Sequence, residues 1–362
     1  MGIPEVSVII PCHNIEKYLP DCLNSILRQT FPEFEAICID DGSTDQTPAL
    51  LDEFQRRDQR IRVIHQENQG VSAARNLGFR CARGKYLLFI DGDDWVEYDL
   101  LAKMVDTGEK TRCDMVVCGS QVHALSPTLR DRRSHRVLCR SLAPRDSIRE
   151  IDRPAEDAWR MLKEPGSWPF VWNKLIRKSV IWENNVMFPE GLPLGEDSVF
   201  LIWLFQYTKK IVYCSDILHN YRYQRADSAT QMLSRDRCVR FSHHIEVVTV
   251  LLEGFRERGI LEENEDHLLH WILDFLYADY LALPAKDREG FQTGLADLFI
   301  RYGLGQNLNG WDAIDRRRLK RLTSEEANSS RAEQVWEIIQ MKIENRWRWL
   351  SRWGVKLLPE KK

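Results

Sequence analysis

The chain has 362 residues, 43% hydrophobic and 29% charged, with a formal net charge of -3 from 51 basic and 54 acidic side chains. These values exclude a disordered chain, a disulfide scaffold and a basic nucleic-acid coat, and the length predicts about two domains. Nine cysteines, an odd count without C-x-x-C spacing, predict reduced thiols in a cytosolic compartment rather than a zinc site.

The first residues, Met1 to Glu5, lack the basic and apolar regions of a signal peptide, so none is expected. Val6 to Ile10 is a continuous β-branched run, the pattern of a buried parallel strand. A helix is predicted over 15–29, a strand over 35–39 and a helix over 45–57. A short strand over 61–65 precedes a helix over 71–82 that stops before Gly84. Strand 86–90, helix 98–107 and strand 114–119 follow. Strands alternating with helices at this spacing predict an α/β sheet. Residues 121–153, rich in Arg and without a clear period, predict an insertion or crossover. Residues 155–230 mix short elements with aromatics, and from about 233 the pattern is helical. The longest dense apolar run, Val199 to Phe205, is too short for a membrane span.

Ligands of open α/β sheets sit at the carboxyl ends of the strands. No G-x-G-x-x-G follows the first strand, and there is no P-loop and no G-x-S-x-G elbow. Those ends carry Pro11-Cys12-His13-Asn14, Asp40-Asp41-Gly42-Ser43-Thr44-Asp45 and Asp91-Gly92-Asp93-Asp94. In extended backbone, Asp91 and Asp93 aim the same way and offer hard oxygen ligands to Mg²⁺ or Mn²⁺. The alternative is an Asp/Gly-rich turn, and an EF-hand fails because its glycine and glutamate positions hold Val96 and Ala102. Asp45 reads as a helix N-cap. Adjacent carboxylates at Asp40 and Asp41 are costly unless used, and one can accept from a nucleobase N–H or a ribose hydroxyl. Asn68 to Gly78 opens a helix whose Ala73, Ala74 and Gly78 permit close packing on the sheet. Its Arg75 either pairs with one of these aspartates or faces a phosphate or base.

These stretches, with Val8-Ile9-Ile10 before Pro11, resemble the inverting glycosyltransferases of family 2 in order and spacing. The resemblance covers about residues 4–120. It continues more weakly through Trp172-Asn173-Lys174-Leu175 and Gly195-Glu196-Asp197 to Tyr221-Arg222-Tyr223. It implies the GT-A fold, a Rossmann-like mixed sheet of nucleotide-diphospho-sugar transferases, followed here by a helical C-terminal region. The halves would be 1–120 on the nucleotide-sugar side and 121–230 on the acceptor side, with 231–362 helical. It also implies roles. Asp41 would read uracil or ribose beside Pro11 and Asn14, and Asn68 and Arg75 would complete the nucleotide pocket. Asp93 would hold the metal, Asp91 ribose or metal, and Asp197 would be the general base. His13 stands where the family commonly has Tyr. UDP is the family's usual carrier, and bacterial surface polysaccharide its usual product.

Electrostatics points the same way. A diphosphate brought to this carboxylate-rich edge needs cations, since unit charges at 4 Å repel by about 4 kcal/mol at an effective dielectric near 20. A divalent metal, Arg75 and Lys174 would offset that. Glu196 and Asp197 also read as first-turn acids of a helix over 198–206. Trp168 and Trp172 read as core or as platforms for an acceptor sugar.

In the C-terminal third, Trp336, Ile343, Leu350 and Leu357 recur every seven residues among Lys and Arg. That pattern suits an amphipathic helix packed on protein or lying on an anionic membrane surface, and a peripheral place on the inner face of the plasma membrane. Arg316-Arg317-Arg318 with Lys320 and Arg321 reads as a solvated face. Two further functions compete. A nucleotidyltransferase needs a Gly-rich basic loop after the first strand, and Pro11 to Asn14 is not one. A non-catalytic nucleotide-sugar binder or assembly protein would have no use for both Asp93 and Asp197.

Overall fold

The computed structural model describes residues 2–124, 139–142, 144–150, 156, 158–159, 169–223, 236–306, 308, 311 and 313–323. Trp168 and the heptad-like stretch 336–357 lie outside them. The chain divides into two compact units, Met1–Ser228 and Ala229–Lys362.

The first unit runs β1 (Val6–Cys12), α1 (Leu19–Leu27), β2 (Phe34–Asp41), α2 (Thr47–Arg57), β3 (Ile61–Gln66), α3 (Val71–Cys81) and β4 (Tyr86–Phe89). It continues with β5 (Trp95–Val96), α4 (Leu100–Thr111), β6 (Met115–Ala124), β7 (Cys139–Leu142) and β8 (Ser147–Glu150). β9 (Lys174–Arg177), α5 (Lys178–Glu183), α6 (Glu196–Phe205) and β10 (Lys210–Tyr223) complete it. The sheet order is β3-β2-β1-β4-β9-β6-β10-β5, with β7 on β6 and β8 on β10. β1, β2, β3 and β4 pair in parallel, whereas β9 is antiparallel to both β4 and β6. The sheet is therefore mixed.

Burial explains the composition of β1. It lies between β2 and β4, so both edges are paired, and Val6, Val8, Ile9 and Ile10 have no exposed surface, so both faces are covered as well. α3 lies directly on this strand. A Cβ at Gly78 would come within 2.5 Å of Ile9 Cγ2, so only glycine lets the helix approach so closely. At the amino ends of the strands, the buried Glu35 accepts from Ser7, Arg62 and Arg83. That end is tied by ion pairs, leaving the polar loops to the carboxyl end.

The structure adds short strands to the expected elements. Within 121–153, read as an insertion or crossover, β6 extends to Ala124, and β7 and β8 pair antiparallel with β6 and β10 respectively. Their short lengths and charged alternation conceal them, because an edge strand needs no continuous apolar run. β5 is only two residues long and pairs with His219 and Asn220 of β10.

The described residues of the second unit form helices: α7 (Arg237–Glu257), α8 (Leu261–Ala282), α9 (Ala285–Tyr302) and α10 (Ala313–Thr323). Asp236 caps α7 by accepting from the backbone N–H groups of Cys238 and Val239. Phe241, Leu251, Phe255, Leu268, Leu276 and Leu295 build a core of its own. The basic run in α10 is only partly solvated. Arg316, Arg317 and Lys320 are exposed, but Arg318 and Arg321 are buried, and Arg321 donates to Tyr277 Oη at 3.2 Å. Arginine stems pack readily on aromatic rings, which a charge count along the sequence does not reveal. No described helix is long and apolar enough to cross a membrane.

Candidate active site

Parallel register places the ends of β1, β2 and β3 side by side, with Cys12 opposite Asp40 and Asp41 opposite Gln66. The loops beyond them interlock. Asn14 adopts a left-handed φ of 50°. Its N–H donates to Ser43 Oγ at 3.1 Å, and its Oδ1 accepts from the Thr44 N–H at 2.8 Å. The His13 ring lies 2.8 Å from the Asp41 carbonyl and 3.4 Å from the Asn68 amide. Gly42 is required here. A Cβ would approach the Asn68 backbone nitrogen to 2.7 Å, and φ is +68°. Of the expected nucleotide residues, Asn14, Asn68 and the Asp41 carbonyl thus meet in one polar rim, and Pro11 lies at the end of β1 leading to it.

Successive strand residues face opposite ways, and Asp40 and Asp41 show the consequence. Asp40 bonds the His65 ring at 2.8 Å, and that bond raises the imidazole's pKa. Asp41 is buried and turned the other way. Its oxygens accept from Gln66 Nε2 at 2.6 Å and from the backbone N–H groups of Gln69 and Gly70 at 2.8 Å each. Asp40 is thereby removed from the group of carboxylates expected around a ligand. Asp41 shapes the loop that carries Asn68 and launches α3. Asp45 caps α2 from just outside it, accepting from the Thr47 N–H at 2.9 Å.

The second cluster centres on Arg75, which is 3% exposed. One terminal nitrogen donates to Asp91 Oδ1 at 2.8 Å. The other donates to Glu196 Oε1 at 2.9 Å and Asp197 Oδ1 at 2.7 Å. The guanidinium also lies over the Phe188 ring, 5.2 Å from its centroid. Burial alone would lower the pKa of Arg75, but Asp197, Asp91 and Glu196 outweigh it and raise it further. Burial pushes Asp197 up to about 7; Arg75 and the Val171 N–H oppose the rise, and Glu196 and Asp91 add to it. A carboxylate poised there can take a proton near neutral pH. Glu196 and Asp197 do open α6, as helix-terminus acids should, and the same position aims them at Arg75.

Asp91, Asp93 and Asp94 each offer a carboxylate oxygen, all within 4.8 Å of one another. Asp94 is fully buried. Its Oδ1 accepts the Arg222 backbone N–H at 2.7 Å, and its Oδ2 lies 3.3 Å from His219 Nε2. Asp91 and Asp93 are the partly exposed members, and their hard oxygens suit a divalent cation such as Mg²⁺ or Mn²⁺. Gly92 lets the turn pack closely, because a Cβ there would come within 2.4 Å of Ile15.

Two expected residues are placed otherwise. Lys174 has no exposed surface; its Nζ donates to the Phe170 carbonyl at 2.6 Å and Asn173 Oδ1 at 2.8 Å. Trp172 is 2% exposed and stacks on His219 at 4.3 Å between centroids, so it is core and offers no sugar platform. Sequence reasoning missed Asn76, His219 and Arg222. Asn76 binds the Phe188 backbone through both ends of its amide, at 2.9 Å each. Its place beside Arg75 in a motif of small residues was the available signal. Arg222 was visible only as part of Tyr221-Arg222-Tyr223, without a role, and His219 had no signal, since its partner Asp94 lies far away in sequence.

Residues 7–184 match the family model Glycosyl transferase family 2. The uncharacterized glycosyltransferase EpsJ of Bacillus subtilis (strain 168) is 32% identical over 234 residues, 64% of this chain and 64% of EpsJ. The poly(ribitol-phosphate) beta-glucosyltransferase of Bacillus spizizenii is 25% identical over 225 residues, 61% of this chain and 32% of that protein. The match thus spans less than two thirds of either relative's length. The crystal structure of S. aureus TarS 1-349 in complex with UDP-GlcNAc is similar with a TM-score of 0.63 at 19% identity, covering 95% of this chain and 92% of that one.

Proposed function

We propose that this chain, which belongs to glycosyl transferase family 2 through residues 7–184, transfers a sugar from a nucleotide-sugar donor to a hydroxyl of a glycan or lipid-linked polymer. The mixed sheet with its TarS-like neighbour is the GT-A fold. One observation carries the reading: a single buried guanidinium, Arg75, holds Asp91 of the D-x-D turn and Asp197 of α6 together. Residues 106 positions apart in sequence, by subtraction of 91 from 197, meet where a donor pyrophosphate and an attacking hydroxyl would both need them.

The reaction we infer is inverting. The acceptor oxygen attacks the anomeric carbon and forms the new C–O bond, while the bond to the nucleoside diphosphate oxygen breaks. Asp197 takes the hydroxyl proton. Its two oxygens already accept from Arg75 and Val171, but each keeps a second lone pair. Asp91 and Asp93 would hold the divalent metal, which when bound supplies charge stabilisation for the departing diphosphate. Pro11, Asn14 and Asn68 would line the nucleoside end, and the buried Asp41 carboxylate would hold the loop carrying Asn68 in shape rather than read the base itself. The neighbour's complex with UDP-GlcNAc supports a UDP-sugar, and the relative named for poly(ribitol phosphate) supports a surface-polymer acceptor. The basic, Trp-rich stretch 336–357 would hold the enzyme against an anionic membrane surface.

Thermal-shift titrations with UDP, GDP, CMP and dTDP, each with and without Mn²⁺, test the donor. Stabilisation by UDP that depends on the metal is expected; stabilisation by none of the four, on folded protein, refutes the donor site. In Asp197→Asn, turnover should fall by about 10²–10⁴-fold while UDP binding persists. Surviving turnover would mean that Asp197 is not the base.

A further inference from the structure

Lys174, the first residue of β9, directly follows the turn 169–173 with its aromatic residues Phe170 and Trp172. Lys174 is fully buried, and its Nζ clamps the turn at two points, the Phe170 carbonyl at 2.6 Å and Asn173 Oδ1 at 2.8 Å. Asn173 is anchored in turn, donating to the Cys118 carbonyl of β6 at 2.8 Å. Between the two clamped points the Val171 N–H projects to Asp197 Oδ2 at 3.2 Å. Phe170 and Trp172 stack at 5.0 Å, and Trp172 stacks on His219, whose Nε2 lies 3.3 Å from Asp94. The turn therefore contacts the candidate base on one side and the support of the D-x-D turn on the other.

We propose that Lys174 is a positioning residue: by fixing the 170–173 turn it holds the Val171 N–H on Asp197, and so sets the orientation and proton affinity of that carboxylate without touching donor or acceptor. The inference rests on the assignment of Asp197 as the base. A flexible ammonium is an expensive group to bury, and its burial has to be offset by hydrogen bonds that do something specific. Burial pushes Lys174 down to about 7, against the field of Asp197. The groups facing Asp197 are Arg75, Glu196 and Asp91, with Lys174 behind the turn. Of these, Lys174 alone is joined to it through a backbone N–H.

The test uses the full chain with UDP-N-acetylglucosamine and Mn²⁺ as probe, reading nucleotide release into water against pH. Lys174→Met should leave KM within about twofold and lower kcat. It should also move the acid limb of the profile upward by about one pH unit, because a carboxylate that loses a hydrogen-bond donor and a nearby positive charge binds its proton more tightly. Asn173→Ala keeps the lysine and removes one of its acceptors; it should move the limb the same way by less, and it decides the matter if Lys174→Met does not fold. A weakened UDP affinity with an unmoved limb would show that Lys174 meets the donor and overturn the proposal. A second readout needs no turnover. Difference infrared spectroscopy of wild type against Asp197→Asn isolates the Asp197 carboxylate, and the same difference in each variant background gives its midpoint. Absence of nucleotide release by the wild type would rule out UDP-N-acetylglucosamine as the donor, while the infrared midpoint still decides Lys174: a shift upward supports the clamp, and no shift refutes it.

Discussion

Arg75 is the residue on which the site depends. It is one cation among three carboxylates, of which Asp91 is 29% exposed and Asp197 13%. Removing it leaves negative charges facing one another in a poorly solvated place. Arg75→Met is therefore expected to destabilise the protein by about 3 kcal/mol, measured as a fall in the urea midpoint at constant slope. Arg75→Lys keeps the charge but loses the planar fork that reaches Asp91 and the Glu196–Asp197 pair together, so its loss should be smaller. The raised Asp197 has its own signature. Because the base must be ionised, the rate should fall as pH drops through about 7, and a flat profile from pH 5 to 8 would remove Asp197 from that role. The motif residues at the strand ends were legible because polar residues collect where the strands of an α/β sheet run out into loops at their carboxyl ends. The pairing of Arg75 was not: its partners Glu196 and Asp197 lie on α6, and spacing carries no information about which helix end meets which.

The elements owe their positions to close packing as much as to hydrophobic pattern. Gly84 shows this. A Cβ there would lie 2.5 Å from the Ser7 backbone nitrogen, and its own N–H donates to Ser7 Oγ at 2.9 Å. Backbone cannot rotate away as a side chain can. Gly84→Ala should thus cost about 1–3 kcal/mol in chemical denaturation, through separation of the loop before β4 from β1. An unchanged midpoint would show that the strands can part without loss. The end of α3 near Ala82 was visible from sequence, but Gly84 is not the C-cap expected there: Ala82 leaves the helix in extended backbone, and Gly84 is needed for the close approach to β1. The short strands β5, β7 and β8 were not visible. Two to four residues hold no period, and only their partners β10 and β6 make them strands.

At the scale of the whole molecule, the residues assigned to the donor all lie in the first unit, and the helical second unit has a core of its own. Ligand linkage acts only on the folded structure that binds. In scanning calorimetry, UDP with Mn²⁺ at about 100 times its Kd should raise the stability of the first unit by about 2.7 kcal/mol. Ligand that shifts only the melting of the second unit would place the nucleotide elsewhere. The sequence by itself determined the alternating α/β order, the carboxylate-rich strand ends and the helical character of the described residues from 237 to 323, since these follow from local periodicity and from residue types at element ends. Tertiary structure alone decided which polar residues stay open at the strand ends and which serve the fold. Asp40 went to His65, Trp172 to His219, and Lys174 to the turn behind Asp197. The reason is physical: a buried polar group must find a partner, and the nearest partner is chosen by packing across strands and helices that are remote in the chain.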